Sequence, residues 1–268
     1  MTAPFHLACA SNSASILAAN LAASPVVRAG IPFEVIENGG SAAQAYNLAL
    51  DRIAASSGAD LVVFAHHDVY LPNGWESLLA RRVAELDAHD PDWALAGAFG
   101  ISMDHRHFGP VWTSSLGQIV GRVPFAPEQV QSFDEMLIVL RRSSGVRFSD
   151  GLPGWHLYGT DVVCKARAAG KKAYALGLNC IHNDRFHEGL DESFAQAYHW
   201  IRKEWRDSLP VRTPITKISR SGLHLYRDTW EGRKSRKYRQ RDAVDTGLAP
   251  HLLAARCGWS DLSLSCSP

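Results

Sequence analysis

The stretch LVVFAHHDVYLPNGW, residues 61–75, joins five apolar residues to two histidines and an aspartate. A short apolar run bounded by turn signals is typical of a strand buried in a sheet, and Pro-Asn-Gly marks the turn after it. One interpretation of the polar end is a binding site for a divalent cation, because imidazole and carboxylate groups are common metal ligands. A solvated polar loop is the simpler interpretation. The stretch therefore predicts a buried strand and leaves two interpretations of its end.

Apolar runs and helix-length segments alternate on both sides of this stretch. Because helix-length crossovers between apolar strands build open sheets, the alternation predicts an α/β fold with a mostly parallel central sheet flanked by helices. Ligands of such sheets bind at the carboxyl ends of the strands. The predicted strands are 5–10, 33–37, 61–65, 93–100, 136–142 and 172–178, and the predicted helices are 13–24, 41–57, 74–89, 156–170 and 192–207. A hairpin is predicted within 103–124.

The composition excludes several classes of protein. Of 268 residues, 46% are hydrophobic and 21% charged, which is ordinary for a soluble globular protein, and a net charge of +1 gives no argument for nucleic acid. Five cysteines without a C-x-x-C pair argue against a disulfide framework or a zinc knuckle and fit a cytoplasmic protein. The N-terminus lacks the basic region of a signal peptide, and no apolar run reaches the roughly 18 residues of a membrane span.

Polar residues collect where the predicted strands end. Glu37-Asn38 and His66-His67-Asp68 follow strands, Asp134-Glu135 precedes one, and Asp161 and His182 come later in the chain. If several of these strand ends share one edge of the sheet, a carboxylate and one or two imidazoles there suit a divalent cation. Each residue also has a simpler interpretation, since Asp161 can cap a helix and the others can be solvated.

The order of these motifs resembles family-2-like glycosyltransferases with the GT-A fold. The closer match is the branch in which the usual Asp-x-Asp motif is written His-x-Asp. The resemblance covers roughly residues 5–210. The stretches that carry it are EVIENGGSAAQAYNLAL, LVVFAHHDVYLPNGW, FDEMLIVLRR, GWHLYGTDVVCKARAAGKKAYAL, CIHND and FHEG.

The resemblance implies a Rossmann-like GT-A domain over residues 1–210. Its first half, about 1–100, would bind the nucleotide sugar, and its second half, about 101–210, the acceptor. Residues 211–268 would form a partly helical, basic C-terminal extension. The implied activity is inverting, metal-dependent transfer of a sugar from a nucleotide-diphosphate donor, with a UDP-sugar as first choice and Mn²⁺ or Mg²⁺ as the metal.

The resemblance also implies roles for single residues. Asp68 and His182 would hold the metal, with His187 as an alternative to His182, and Asp161 would be the general base. His66 stands where the family has an aspartate, which changes the local charge by one. The residues expected near the donor are Ser11, Asn12, Glu37, Asn38, Asn47, His66 and His67. The residues expected near the sugar or acceptor are Asp134, Glu135, Trp155 and His156.

Other functions and partners remain open at this stage. A nucleotidyltransferase on a related fold and an inactive nucleotide-sugar-binding module are the alternatives, although ACASNSAS lacks the glycines and lysine of a phosphate-binding loop. The acceptor is a saccharide, a lipid-linked molecule or a small molecule. The basic segment 227–242 is either solvated or contacts a membrane surface or an anionic polymer. Homo-oligomerisation is left open, and the expected location is cytoplasmic, with peripheral membrane contact as the variant.

Overall fold

The computed structural model describes residues 4–37, 39–56, 58–184, 190–239 and 248–263. The strands are β1 (His6–Ser11), β2 (Phe33–Glu37), β3 (Leu61–Ala65), β4 (Val69–Tyr70), β5 (Leu95–Gly97), β6 (Gly100–Ser102), β7 (His107–Phe108), β8 (Val111–Thr113), β9 (Gln118–Val120), β10 (Glu128–Phe133), β11 (Leu137–Arg141), β12 (Ala173–Ala175), β13 (Cys180–His182), β14 (Val211–Arg212) and β15 (Lys217–Ile218). The helices are α1 (Ala14–Ala19), α2 (Pro25–Arg28), α3 (Ala42–Ser56), α4 (Trp75–His89), α5 (Tyr158–Ala168), α6 (Glu192–Glu204), α7 (Leu223–Arg239) and α8 (Pro250–Arg256), with 3-10 turns at Leu21–Ala23, Arg142–Ser144 and Arg206–Ser208. In the described ranges, no helix has the length and apolar character needed to cross a membrane.

The central sheet has nine strands in the order β2-β1-β3-β11-β5-β12-β10-β6-β7. β1 is parallel to β2 and β3, and β5 is parallel to β12, whereas β11 and β10 are antiparallel to their neighbours. The pairings give β2, β1, β3, β5, β12 and β6 one direction and β11, β10 and β7 the other. The predicted α/β class with a mostly parallel sheet is confirmed, and the antiparallel β11 inside it is an addition.

The apolar run of the opening stretch forms β3, an interior strand of this sheet. Val62 and Phe64 belong to one buried cluster, and Val63 and Ala65 belong to the other. Because successive side chains of a strand point to opposite faces, both faces of β3 are covered, which explains the unbroken apolar run. Side chains of α3, α5 and α6 line the first cluster, and side chains of α4 and α8 line the second.

The Pro-Asn-Gly turn after β4 ties this region to the C-terminal segment. Gly74 has a φ of 73°, and a Cβ there would overlap the backbone nitrogen of Ser263. The N–H of Leu262 donates to the carbonyl of Asn73 at 2.8 Å. Glycine is therefore required at residue 74 for both its left-handed conformation and the close approach of a second chain segment.

A second, four-stranded sheet has the order β4-β13-β8-β9. In it, β8 and β9 form the hairpin that the sequence predicts within 103–124. β13 lies antiparallel to β4, with His182 opposite Val69, and parallel to β8. This small sheet brings the late histidine of the chain next to the end of β3.

The C-terminal segment packs against both faces of the central sheet. Val211, Ile218 and Leu225 belong to the first buried cluster, while Leu253 and Leu262 belong to the second. α7 lies within the segment for which the sequence predicts a partly helical, basic extension. The division of the chain at residue 210 remains a prediction.

Candidate metal site

The carboxyl end of β3 meets two other chain segments. β11 runs antiparallel to β3 with Leu137 opposite Ala65, and the N–H of His66 donates to the carbonyl of Met136 at 3.0 Å. Asp134 and Glu135, which precede β11, therefore lie at the same edge as His66. From the other side, the N–H of Asn183 donates to the carbonyl of Asp68 at 2.9 Å.

Three side chains converge at this edge: His66, Asp68 and His182. One ligand atom from each lies within 4.8 Å of the others. Asp68 Oδ1 is 3.9 Å from His66 Nδ1 and 3.5 Å from His182 Nε2. That oxygen is buried and accepts no hydrogen bond within the described part of the chain. A buried carboxylate oxygen without a donor, between two imidazoles, fits a divalent cation, because the cation would supply the missing partner.

The charges of the three groups depend on one another. Burial lowers the pKa of His66 to about 4, so its imidazole is neutral. Burial also opposes charge on His182, but Asp68, Asp184 and Asp134 outweigh it and raise its pKa to about 10. Burial acts to raise the pKa of Asp68, yet the attraction of His182 holds it well below its usual range. Asp68 is thus an anion attracted by the positive charge of His182 at 3.5 Å without a formed hydrogen bond between them, and a cation would take the place of that charge.

Tyr158 orients the His66 ring. The Tyr158 hydroxyl donates to the carbonyl of Glu135 at 2.9 Å and lies 2.7 Å from His66 Nε2. Because the hydroxyl proton is used on the carbonyl, Nε2 must carry the hydrogen of the second bond. Nδ1 is then the ring nitrogen with a free lone pair, and it faces Asp68. The sequence gives no periodic or motif signal that singles out Tyr158 for this position.

A polar network holds the backbone after His182. Asp184 accepts from Thr113 Oγ1 at 2.8 Å, from the Ser115 N–H at 3.1 Å and from the Ser115 hydroxyl. Ser114 Oγ donates to Asn183 Oδ1 at 2.8 Å. These bonds fix residues 183–184 on the β8–β9 hairpin, so His182 is held by its neighbours as well as by strand pairing. The CIHND motif thus includes a structural aspartate.

The predicted donor residues divide into two groups. Ser11 is buried at the end of β1, where its hydroxyl hydrogen-bonds His67 Nδ1 at 3.0 Å, and it pairs in register with Glu37 on β2. Asn12 and Glu37 are exposed beside it. Since β2, β1 and β3 are neighbours, these side chains share an edge with the metal site. Asn38 lies outside the described residues.

Asn47 does not join this group. It is 5% exposed, and its amide donates to the carbonyl of Phe148 at 2.9 Å and to Asp150 Oδ1 at 2.6 Å. Its Oδ1 accepts from the N–H of Phe148 at 3.1 Å. The amide attaches the loop at residues 148–150 to α3, and the donor contact of Asn47 stays a prediction.

Asp161, the predicted general base, lies buried near the start of α5. Its side chain has no exposed surface and accepts from the Ser149 N–H, the Ser149 hydroxyl and Trp205 Nε1, each at 2.9 Å. Burial raises the pKa of this carboxyl. An acceptor hydroxyl cannot reach it in this conformation. These bonds join α5 to the segment after α6, and the base role of Asp161 stays a prediction.

Asp134 and Glu135 are the acidic pair nearest the metal site and are partly exposed. Burial and the charge of Asp134 raise the pKa of Glu135 to about 8, and burial raises the pKa of Asp134. The N–H of Gly159 donates to Glu135 Oε1 at 3.3 Å. Such a partly desolvated carboxyl, with a raised pKa, has the properties of a group that exchanges protons.

The two remaining predicted substrate residues precede α5. Trp155 is 42% exposed. His156 Nε2 lies 3.7 Å from Asp191 Oδ1, and its ring lies 5.6 Å from that of Phe194. Both residues border the start of the helix that carries Tyr158. His187, the alternative to His182, lies outside the described residues.

Comparisons with known proteins show partial similarities. No protein-family model matches the chain. A protein of Fuscovulum blasticum named ATP synthase subunits region ORF 6 is 30% identical over 161 residues, which are 56% of this chain and 61% of that protein. The chain thus spans less than two thirds of this relative.

Three solved structures resemble the chain at low identity. GalNAc-T7 with UDP, GalNAc and Mn²⁺ is 12% identical, with a TM-score of 0.46 over 89% of this chain and 55% of its own. Staphylococcus aureus TarS in complex with UDP-GlcNAc is 14% identical, with a TM-score of 0.45 over 91% and 74%. The Pyrobaculum calidifontis mannosyltransferase PcManGT with GDP-Man and Mn²⁺ is 13% identical, with a TM-score of 0.42 over 96% and 80%. At these TM-scores the function must be argued from the geometry of the site.

Proposed function

We propose that the chain is a metal-dependent glycosyltransferase of the GT-A type. It would move a sugar from a nucleotide-diphosphate donor, with a UDP-sugar as first choice, to a hydroxyl acceptor with inversion. The observation that carries the proposal is the buried Asp68 Oδ1 without a donor, between His66 and His182 at the carboxyl edge of β3. Three protein ligands leave positions on a cation for two diphosphate oxygens, and the bound cation would stabilise the charge of the leaving group.

The donor residues in this proposal are the polar groups at neighbouring strand ends. Ser11, Asn12 and Glu37 lie beside the metal site on β1 and β2, where they can contact the nucleoside while the metal holds the diphosphate. Ser11 also fixes His67 through its hydroxyl. The placement follows the rule that ligands of open α/β sheets bind at the carboxyl ends of strands.

The base in this proposal is Glu135, with Asp134 as its neighbour. Glu135 is partly exposed at the metal edge, whereas Asp161 is enclosed by three donors. A hydroxyl is a poor nucleophile, so a carboxylate must accept its proton as the glycosidic bond forms. A nearby divalent cation would favour the ionised form of Glu135, whose pKa of about 8 otherwise favours the acid.

A donor-hydrolysis assay tests the proposed function. The full chain is incubated with a panel of nucleotide sugars, with Mn²⁺, with Mg²⁺ or with chelator, and release of the nucleotide is measured. We expect metal-stimulated release from at least one donor and loss of that release in Glu135→Gln. Asp207→Asn is the matched control, because that carboxylate is fully exposed. Donor binding without metal-stimulated turnover would favour a non-catalytic module instead, and pyrophosphate release from nucleoside triphosphates would favour a nucleotidyltransferase.

We also propose that α7 contacts an anionic membrane surface. It exposes Leu223, Tyr226 and Trp230, which are spaced three and four residues apart, and Lys234 Nζ lies 3.3 Å from the centre of the Trp230 ring. Segment 227–242 has seven basic and three acidic residues. Exposed apolar side chains flanked by cations suit anionic lipid.

Sedimentation with phosphatidylserine and phosphatidylcholine vesicles tests this contact. The full chain should sediment with the anionic vesicles, and Trp230→Ala with Leu223→Ser should lose that binding. Equal sedimentation of the variant and the unmodified protein would contradict the contact.

A further inference from the structure

A cavity separate from the metal site lies against α7. Its volume is about 470 Å³, and its walls include parts of β6, β7 and the turn between them, the β14–β15 hairpin and α7. None of the residues that we place in the metal, donor or base sites lines it. Any ligand of this cavity must therefore be inferred from the side chains that line it.

Two cations face each other across the hairpin in this cavity. Arg212 and Lys217 are register partners of β14 and β15, and both line the cavity. Like charges directly opposite each other destabilise an antiparallel pair. Within the described ranges, neither side chain makes an ion pair with an acid. The hairpin thus carries an unfavourable charge pair that a bound anion would relieve.

The acidic residues of the cavity wall are already paired. Asp228 lies 2.9 Å from the Arg227 guanidinium and accepts from Thr216 Oγ1 at 2.5 Å. Glu231 lies 3.8 Å from the same guanidinium. Because one arginine is shared by these two acids, they offset part of the positive charge, but they do not contact Arg212 or Lys217.

The frame that carries the two cations is fixed. The N–H of Arg212 donates to Gln131 Oε1 at 2.9 Å, and Gln131 Nε2 donates to the carbonyl of Ser102 at 2.8 Å. Gln131 is 4% exposed. At the tip of the hairpin, Thr213 Oγ1 accepts from the N–H groups of Ile215 and Thr216. The backbone that carries the two cations is thus fixed before a ligand arrives, which lowers the entropic cost of binding.

We propose that this cavity binds the phosphate group of a phosphorylated small molecule. The arginine offers a planar fork of donors and the lysine a compact charge, a combination that suits a dianionic phosphate better than a single carboxylate. His105 and His107, which also line the cavity, add imidazole donors. The proposal does not depend on glycosyl transfer, since the cavity and the metal site share no lining residue.

Thermal melting of the full chain in EDTA tests the proposal. The probes are glycerol phosphate, inorganic phosphate and glucuronate at constant ionic strength. The double variant combines Arg212→Gln and Lys217→Gln, and the single variant is Lys217→Gln. The control is Lys203→Gln with Arg206→Gln, two exposed cations on α6 and just after it. Without ligand at low salt, the double variant should melt about 1–2 °C above the unmodified protein, because the repulsion is removed. The two phosphates should raise the melting temperature of the unmodified protein and the control, but not that of the double variant.

Three results would overturn the proposal. The first is a phosphate-induced rise that persists in the double variant. The second is a rise with glucuronate equal to that with glycerol phosphate. The third is a double variant that melts below the unmodified protein without ligand, since this would show that the two cations stabilise the unliganded fold. The melting temperature of the single Lys217→Gln variant should then be lowered as well.

Discussion

At the scale of single residues, the site depends on one hydroxyl to which the sequence assigns no role. Tyr158 decides which nitrogen of His66 carries the hydrogen, because its own proton is donated to the carbonyl of Glu135. Asp68 and His182 could be predicted from the sequence, since their types and their places after predicted strands fit a metal site. The role of Tyr158 could not, because it depends on a contact across 92 residues.

Tyr158→Phe should weaken metal binding while the protein stays folded. The variant removes the partner of His66 Nε2, so the ring is free to present either tautomer to the cation. We expect Mn²⁺ affinity to fall about 10-fold, the lower end of the range for groups that orient metal ligands. Mn²⁺ titration measures this affinity, and Tyr226→Phe, at an exposed tyrosine of α7, is the control. Unchanged affinity in a folded Tyr158→Phe protein would remove the orienting role.

At the scale of elements, the local sequence pattern predicts single strands and helices but not which strands pair. The apolar run of β3 and the helix-length segments around it are predictable because each periodicity is local. The β13–β4 pairing and the antiparallel β11 are not, since they join short strands that are distant in sequence. Asp161 shows the same limit: the start of α5 suggests a cap or a base, but Trp205, 44 residues later, completes its enclosure.

Asp161→Asn should destabilise the fold. An asparagine keeps only one acceptor oxygen and places an NH₂ group against the donors of Ser149 or Trp205, so at least one buried hydrogen bond is lost. We expect a decrease of about 1–3 kcal/mol in the free energy of unfolding. Urea denaturation measures it, with Asp92→Asn, at an exposed aspartate, as control. A variant as stable as the unmodified protein but unable to transfer sugar would restore the base role that the sequence predicts.

At the scale of the whole molecule, the C-terminal segment is part of the folded body. Leu225 packs in one buried cluster and Leu253 in the other. Removing Leu225 and everything after it would expose apolar surface on both faces of the sheet and cost stability. The proposed functions of α7 and of the anion cavity can therefore be tested by side-chain substitution but not by truncation, which would also destabilise the fold. The basic character of this segment was visible in the sequence, whereas its packing was not.

The measurement that tests the central claim most directly is the affinity of Asp68→Ala for Mn²⁺ in the presence of UDP. Electron paramagnetic resonance detects the bound and free Mn²⁺. The claim is that Asp68 Oδ1, which lacks a hydrogen-bond donor, is a metal ligand. The unmodified protein and the exposed-residue control His199→Ala should each bind one Mn²⁺ with similar affinity, and Asp68→Ala should bind it at least about 100-fold more weakly. Mn²⁺ binding by Asp68→Ala with the affinity of the unmodified protein would contradict the claim.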